Sequence, residues 1–220
     1  NKLDSLLKIP SPSGNTVKAI DFVEKEFNDL GVSTYRTNKG ALIATIIGSN
    51  EDKEITLSGH VDTLGGMVKE IKSNGRVKFT QIGGYVWSTV EGEYVNIENS
   101  GGKLYSGTIL TTKASSHVHG EETRTIDRNM ANMEIRLDEK VFSKEDVEKL
   151  GINVGDFVFF DPRVNITDSG FIKSRHLDDK AGVVSLLGIA KYLIDNKITP
   201  KYTTNFFISN YEEVGHGASA

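Results

Sequence analysis

Three short segments of this chain carry the residues that could do chemistry. They are His60-Val61-Asp62, the pair Asp178-Asp179 and the pair Glu212-Glu213. Carboxylates with one histidine and no thiolate are a ligand mixture that suits Zn²⁺, Co²⁺ or Mn²⁺. A carboxylate beyond those needed for coordination can accept a proton from an activated water. Together the three segments predict a hydrolytic metal centre.

Each segment also has a simpler interpretation when it is taken alone. Most His-x-Asp triplets are polar residues on a protein surface. Paired acids before a helix are often only favourable charges at its N-terminus, and the Glu212-Glu213 pair has the same alternative. The joint occurrence favours the metal site, because each segment follows a strand-like run and no Lys or Arg separates the two acids of a pair.

The elements that position these segments are predicted strands. Strand-like runs at 55–58, 170–173 and 204–209 precede the first, second and third segment, and an apolar helical run at 183–193 follows the second. Strand-to-helix junctions are where open α/β sheets place their chemistry, because backbone N–H groups and the helix dipole stabilise negative charge there. The sequence therefore predicts an α/β domain with the site at its strand ends.

The middle of the chain has a different pattern of apolar and polar residues. From residue 65 to residue 163 it carries many short alternating runs, separated by glycine and charged turns, which predict a small all-β or barrel-like unit. The simplest organisation is an α/β domain, residues 1–64 and 164–220, interrupted by a β-rich insertion at 65–163.

Several local predictions concern single elements. An amphipathic helix is predicted at 17–30, strands at 85–90, 104–111, 133–137 and 157–160, and a turn at 48–52. In a further predicted helix at 143–150, Ser143 and Asp146 occupy the N-cap and N3 positions. The Pro-Ser-Pro-Ser-Gly-Asn run at 10–15 offers several helix N-cap residues, and Lys180 is predicted to be a solvated helix residue.

Composition narrows the class of protein. The net charge of −4 argues against nucleic acid or an anionic membrane as a partner. The chain contains no cysteine, which excludes disulfides and thiolate metal sites and fits a cytoplasmic location. Neither an apolar run of transmembrane length nor a signal peptide is visible, so we expect no membrane association.

The three segments extend into blocks that resemble the signatures of the M42 family of metallo-aminopeptidases, which includes the TET peptidases and the glutamyl aminopeptidases. The blocks are SGHVDTLG at 58–65, RHLDDKAG at 175–182 and YEEVG at 211–215. Their order and spacing match, and GDFVFFDP at 155–162 resembles the segment by which the family's insertion rejoins its host. The resemblance implies a mixed-sheet α/β/α metallopeptidase domain with a small barrel-like insertion.

The resemblance also implies a site with two divalent metal ions, Zn²⁺ or Co²⁺, that removes N-terminal amino acids from peptides. Carried over by position, His60 would bind one metal and Asp62 would orient it without binding the metal itself. Asp178 would bridge both metals and Glu213 would bind the second. Glu212 would be the general base that takes a proton from the attacking water.

The chain departs from the family pattern at its C-terminal end. The family continues beyond this point to supply a further aspartate and a late histidine ligand, so the chain is expected to be C-terminally incomplete and itself inactive. Alternatives are another amide or glycan hydrolase, such as a deacylase or glucanase, and a non-catalytic protein with the same fold. The roles of His117, His119 and His216 stay open.

The family also suggests the partners. Peptides are the expected substrates, and the insertion is the part that pairs subunits in the family, so a homo-oligomer built from dimers is expected. Trp87, Tyr85, Tyr94 and Tyr105 are available in the insertion for an apolar interface, although aromatic residues are as often part of a core.

Overall fold

The computed structural model describes residues 1–217, with the side chain of Glu51 left aside. The helices are α1 (Lys2–Leu7), α2 (Val17–Asp29), α3 (Ser116–His119), α4 (Glu122–Thr125), α5 (Lys144–Lys149) and α6 (Leu177–Asp195). The strands are β1 (Ser33–Arg36), β2 (Leu42–Ile46), β3 (Asn50–His60), β4 (Gly65–Ile71), β5 (Val77–Ile82), β6 (Tyr94–Glu98), β7 (Leu104–Thr111), β8 (Met133–Leu137), β9 (Phe157–Phe160), β10 (Asn165–Ile166), β11 (Ile172–Lys173) and β12 (Tyr202–Ser209). Two 3₁₀ turns lie at Trp87–Thr89 and Glu212–Val214.

The chain divides into two units. The α/β unit comprises Asn1–Thr63 and the chain from Pro162 onwards, and the barrel unit comprises Leu64–Asp161. The first unit is thus built from two segments that flank the second in sequence. The predicted boundaries, after residues 64 and 163, lie next to these positions.

The α/β unit is organised around a four-stranded sheet with the order β1-β2-β12-β3. The pairs β1–β2 and β2–β12 are antiparallel, whereas β12 and β3 are parallel, with Ser209 opposite His60 at their carboxyl ends. The mixed α/β fold predicted from the sequence is therefore confirmed. Because β3 and β12 run in the same direction, the residues that follow them emerge at one edge of the sheet.

The core of this unit lies between the helices and one face of the sheet. Ile20, Val23 and Phe27, the apolar face of α2, are fully buried. The Phe27 ring packs on Phe206 of β12 with centroids 5.6 Å apart. Burial of such a side chain contributes about 1.5–3 kcal/mol, more than the roughly 0–1 kcal/mol of an exposed ion pair such as Arg36 with its acidic partners on α2. Apolar packing therefore fixes α2 on the sheet.

Helix α6 begins six residues earlier than the predicted apolar run. It spans Leu177–Asp195, with non-helical backbone angles at Asp178 and Asp179. Its buried face, which includes Val183, Leu187 and Ala190, joins the same core. Within residues 1–217, neither α6 nor any other helix combines the length and the apolar character that a membrane crossing requires.

The barrel unit closes six strands in the order β4-β5-β8-β7-β6-β9. Every second residue of β7 points inward, and Tyr105, Ile109 and Thr111 are buried there. Strands β7, β8 and β9 have the bounds predicted for them from alternation. Ser143 caps α5 by accepting the Asp146 N–H, and the Asp146 carboxylate accepts the Phe142 N–H, which confirms the predicted capping interaction.

The predictions for the runs at 85–90 and 48–52 are wrong. The run at 85–90 is not a strand: it contains a 3₁₀ turn, in which the Thr89 hydroxyl donates to the Val86 carbonyl while the Trp87 ring packs on Phe79 with centroids 5.2 Å apart. The turn predicted at 48–52 ends earlier, because β3 begins at Asn50, whose N–H donates to the Lys201 carbonyl at 3.0 Å. In the second case the partner, Lys201, is distant in sequence.

Gly107 of β7 gives a direct test of barrel packing. A Cβ there would lie 2.6 Å from the Arg136 carbonyl oxygen on β8, so we expect Gly107→Ala to destabilise the protein by about 2 kcal/mol. Gly84 is the matched control, because a Cβ there meets nothing within 4 Å, and Gly84→Ala should change stability by less than about 0.5 kcal/mol. Denaturant unfolding of both variants measures the difference, and equal stabilities would contradict the close approach.

Candidate metal centre

The carboxyl ends of β3 and β12 bring two of the three sequence segments together. The Val61 N–H donates to the Ser209 carbonyl at 3.0 Å, which extends the parallel pairing beyond His60. The 3₁₀ turn Glu212–Val214 follows β12 directly. His60 and the two glutamates therefore lie at the same edge of the sheet.

The His60 ring is held in one orientation. Its Nδ1 lies 3.0 Å from the Asp62 carbonyl oxygen, to which an Nδ1–H donates. This bond directs Nε2 away from the Asp62 carbonyl, and Nε2 is the ring nitrogen that can give up its proton and bind a metal, the arrangement typical of a metal-binding histidine. His60 Nε2 lies 3.2 Å from Asp178 Oδ1 and 3.6 Å from Glu212 Oε2. Asp178 of the second segment and Glu212 of the third therefore both lie beside His60 Nε2.

The Asp62 carboxylate is fully buried and lies on the Nδ1 side of the His60 ring, not on the Nε2 side. Oδ2 accepts the Ser13 hydroxyl at 2.5 Å and the Glu213 N–H at 3.1 Å, and Oδ1 accepts the Glu212 N–H at 3.1 Å. Burial would raise the pKa of this carboxyl, but the hydrogen bonds from His60, Ser13 and the two backbone N–H groups outweigh it and lower the pKa. Asp62 orients His60 through its own backbone carbonyl and fixes the glutamate turn through its carboxylate.

Negative charge is concentrated around His60. Burial lowers the pKa of this histidine, but the hydrogen bond and charge of Asp62, helped by the charge of Glu212, overcome it and raise the pKa to about 9. The pKa of Glu213 is raised to about 7, by burial first and then by the charges of Asp62, Asp178 and Glu212. Carboxylates so placed repel one another, and a bound cation would relieve the repulsion.

The donors present fit a divalent cation as part of a ligand set. Within residues 1–217, no group of three or more His, Cys, Asp or Glu side chains is arranged to hold a metal ion. The imidazole of His60 and the carboxylate of Asp178 are nevertheless ligand types that Zn²⁺ and Co²⁺ accept, and their 3.2 Å separation suits two atoms bound to one ion. The Asp178 side chain is 90% exposed, so further ligands can reach it.

A small cavity of about 180 Å³ opens beside these groups. Its lining residues come from β3, the start of α6, β12 and the segment that follows β12: Ser58, Gly59, His60, Asp179, Phe207, Ser209, Glu212 and Gly217. Both polar and apolar residues contribute to its lining, and His60 is one of them.

Asp178 and Asp179 make different contacts. The peptide bond between them is cis. Asp179 Oδ1 accepts the Gly182 N–H at 3.1 Å, and Asp179 Oδ2 accepts the His60 N–H at 3.3 Å. Asp179 therefore supports the start of α6 and ties it to β3. The Asp178 carboxylate faces His60 Nε2 instead.

The prediction for Lys180 is wrong. Its side chain is fully buried, and Nζ donates to the Ile9 carbonyl at 2.6 Å. Burial lowers the pKa of this lysine to about 7. The helical position suggested a solvated side chain, but the Pro-Ser-Pro-Ser loop that follows α1 covers the first turn of α6.

Sequence reasoning gave the serines of this loop the wrong role. They are not helix caps: Thr16 occupies the N-cap position of α2 without a side-chain cap bond. Ser11 donates instead to the Val61 carbonyl at 2.7 Å, and Ser13 donates to Asp62. The Pro-Ser-Pro-Ser-Gly run is the only signal in the sequence, and it does not name these distant partners.

The other histidines do not join the contacts around His60 that are given above. His176 precedes α6 and is buried, in agreement with a local structural role. His216 is exposed after the 3₁₀ turn, with its N–H donating to the Tyr211 carbonyl. His117 and His119 lie in α3 of the barrel unit.

Comparison with known proteins decides the family. The profile of a family described as M42 glutamyl aminopeptidase matches residues 40–220. This chain belongs to the M42 family. The M42 resemblance of the three sequence blocks is thereby confirmed.

Individual relatives agree with the assignment to M42. The protein YhfE of Bacillus subtilis (strain 168), which is named as an aminopeptidase, is 51% identical over 218 residues, which are 99% of this chain and 63% of YhfE. The chain therefore spans less than two thirds of the length of this relative.

Solved structures show the same M42 fold. A TET aminopeptidase from a marine sediment archaeon, Thaumarchaeota archaeon SCGC AB-539-E09, matches 99% of this chain and 60% of its own with a TM-score of 0.89 at 22% identity. The TET1 peptidase of Pyrococcus horikoshii matches 99% of this chain and 62% of its own, with a TM-score of 0.81 at 26% identity. That peptidase can assemble into a tetrahedron or a large octahedral shell.

Gly182 tests the link between α6 and β3. A Cβ there would lie 2.0 Å from Asp179 Oδ1, so Gly182→Ala should push the Asp179 carboxylate out of its bonds and cost about 2 kcal/mol of unfolding free energy. Gly188→Ala in the same helix is the control: nothing lies within 4 Å, and it should stabilise by roughly 0.5–1 kcal/mol. Denaturant unfolding measures both variants. A Gly182→Ala protein at least as stable as the wild type would refute the predicted clash.

Proposed function

We propose that the protein carrying this chain is an aminopeptidase that depends on divalent metal ions and removes N-terminal residues from peptides. The observation that carries the proposal is that two carboxylates approach His60 Nε2 at the edge of the sheet, Asp178 Oδ1 at 3.2 Å and Glu212 Oε2 at 3.6 Å. Membership of the M42 family and the aminopeptidase name of YhfE support the reaction class.

In this proposal His60, Asp178 and Glu213 would contribute to holding two ions, Zn²⁺ or Co²⁺. When bound, such ions polarise the scissile carbonyl and make water a stronger nucleophile at neutral pH. His60 presents Nε2 because its Nδ1–H is bonded to the Asp62 carbonyl. Asp62 acts through His60 and through the backbone of the glutamate turn, so it positions the reacting groups without touching the substrate.

Glu212 is the proposed general base. Its side chain is 58% exposed and can reach a water in the cavity, while its backbone is held by the Asp62 carboxylate. One Oε of Glu212 accepts the proton of the attacking water and delivers it to the amine nitrogen as the C–N bond breaks. The neighbouring Glu213 is less exposed than Glu212 and lies within electrostatic reach of His60, Asp62 and Asp178, the groups around the proposed ions, so it is the proposed ligand.

Assembly and location complete the proposal. The assembly of the P. horikoshii relative into shells supports a homo-oligomer, in which the barrel unit would pair subunits. The absence of cysteine from the sequence supports a cytoplasmic location. Peptides are the proposed partners, with neither nucleic acid nor membrane.

Removal of metal tests the reaction class. We expect a chelator to abolish hydrolysis of aminoacyl-p-nitroanilides by the full-length protein, and Zn²⁺ or Co²⁺ to restore it. Cellulose is assayed in parallel, because glycosidases generally use two carboxylates and need no metal. Failure of both ions to restore peptidase activity would overturn the proposal, and cleavage of cellulose that survives chelation would favour a glucanase.

Paired variants test the roles of the two glutamates. Glu212→Gln should lower kcat by at least about 100-fold while metal affinity is retained, because a base is lost and the ligands remain. Glu213→Gln should instead weaken metal binding, which a competing chromogenic chelator measures. Loss of metal from Glu212→Gln would move Glu212 into the ligand set and refute its role as base.

A further inference from the structure

The candidate centre depends on a residue outside the three sequence segments. Ser13 lies in the loop between α1 and α2 and is 7% exposed. Its hydroxyl donates to Asp62 Oδ2 at 2.5 Å, the shortest bond that this carboxylate receives. We propose that Ser13 is a positioning residue, which holds the Asp62 carboxylate in the orientation that fixes Glu212 and Glu213.

The geometry of the carboxylate supports this role. A carboxylate offers about four acceptor directions. Oδ2 uses two of them for the Ser13 hydroxyl and the Glu213 N–H, and Oδ1 accepts the Glu212 N–H while lying 3.4 Å from His60 Nδ1. Rotation of the carboxylate would break both backbone bonds, and the Ser13 hydroxyl is the side-chain donor that opposes it from the side away from His60.

The loop itself is held firmly enough to position Asp62. The Ser13 N–H donates to the Thr63 carbonyl at 3.3 Å, and the Thr63 N–H donates to the Ser11 carbonyl at 2.9 Å. On its other side, the buried Lys180 Nζ donates to the Ile9 carbonyl at 2.6 Å. The loop is thus tied both to the segment after β3 and to the first turn of α6, two residues beyond Asp178.

The chain provides a matched control for Ser13 in the same loop. Ser11 is also buried, and its hydroxyl donates at 2.7 Å, but to the backbone carbonyl of Val61 and not to Asp62. Ser11→Ala therefore removes a comparable buried hydrogen bond without touching the carboxylate. Ser13→Thr keeps a hydroxyl at the tested position.

The first measurement is hydrogen exchange of the full-length protein without metal. We expect Ser13→Ala to speed exchange of the Glu212 and Glu213 amides at least about tenfold, because their acceptor is no longer held. Ser11→Ala and Ser13→Thr should leave these two amides at the wild-type rate. Unchanged exchange in Ser13→Ala, or equal acceleration in Ser11→Ala, overturns the proposal. If Ser13→Ala does not fold, Ser13→Cys, a weaker donor, should give a smaller acceleration, and wild-type exchange there would count against the role.

The second measurement rests on the proposed function. Mutation of a residue that orients metal ligands through hydrogen bonds costs about 10–100-fold in metal affinity or activity. Ser13→Ala should therefore weaken Zn²⁺ binding by about tenfold and lower kcat with little change in KM, whereas Ser11→Ala should change neither. A wild-type protein that neither binds Zn²⁺ nor cleaves peptides would refute the proposed function alone, because the exchange rates still decide the role of Ser13.

Discussion

The buried Asp62 carboxylate is the constraint on which the candidate centre depends. A carboxylate with 0% exposure is costly unless its oxygens are hydrogen-bonded. Its hydrogen-bond donors come from two distant parts of the chain, the Ser13 hydroxyl in the loop after α1 and the Glu212 and Glu213 N–H groups in the turn after β12, while Asp62 itself lies in the segment after β3. Since the acceptor is rigid and buried, these parts keep fixed positions relative to one another, and the exposed carboxylates of Asp178 and Glu212 are left free to meet a ligand.

The parallel pairing of β3 and β12 makes this arrangement possible. The register that places Ser209 opposite His60 brings the glutamate turn to the histidine, although the two are about 150 residues apart in sequence. A slip of one residue would turn the side chains of a strand to the opposite face of the sheet. Burial of Phe206 against Phe27 resists such a slip, so the same packing that stabilises the domain also aligns the site.

Local patterns allowed much of the fold to be predicted. The spacing of Ile20, Val23 and Phe27 predicted the buried face of α2, and alternation predicted strands β7 to β9. Such patterns fail where a partner distant in sequence decides. Strand β3 begins at Asn50, which bonds to Lys201, and the buried Lys180 donates to the carbonyl of Ile9, 171 residues earlier.

The sequence by itself determined the chemical types of the site. It supplies one imidazole and several carboxylates, no thiolate, and three blocks whose order identifies the M42 family. Only the tertiary structure decided which groups meet: Asp178 with His60 Nε2, Asp179 with two backbone N–H groups, and Ser13 with Asp62. Residue type sets what a group can donate or accept, whereas its partner depends on strand register and loop packing, which bring together atoms that no local pattern relates.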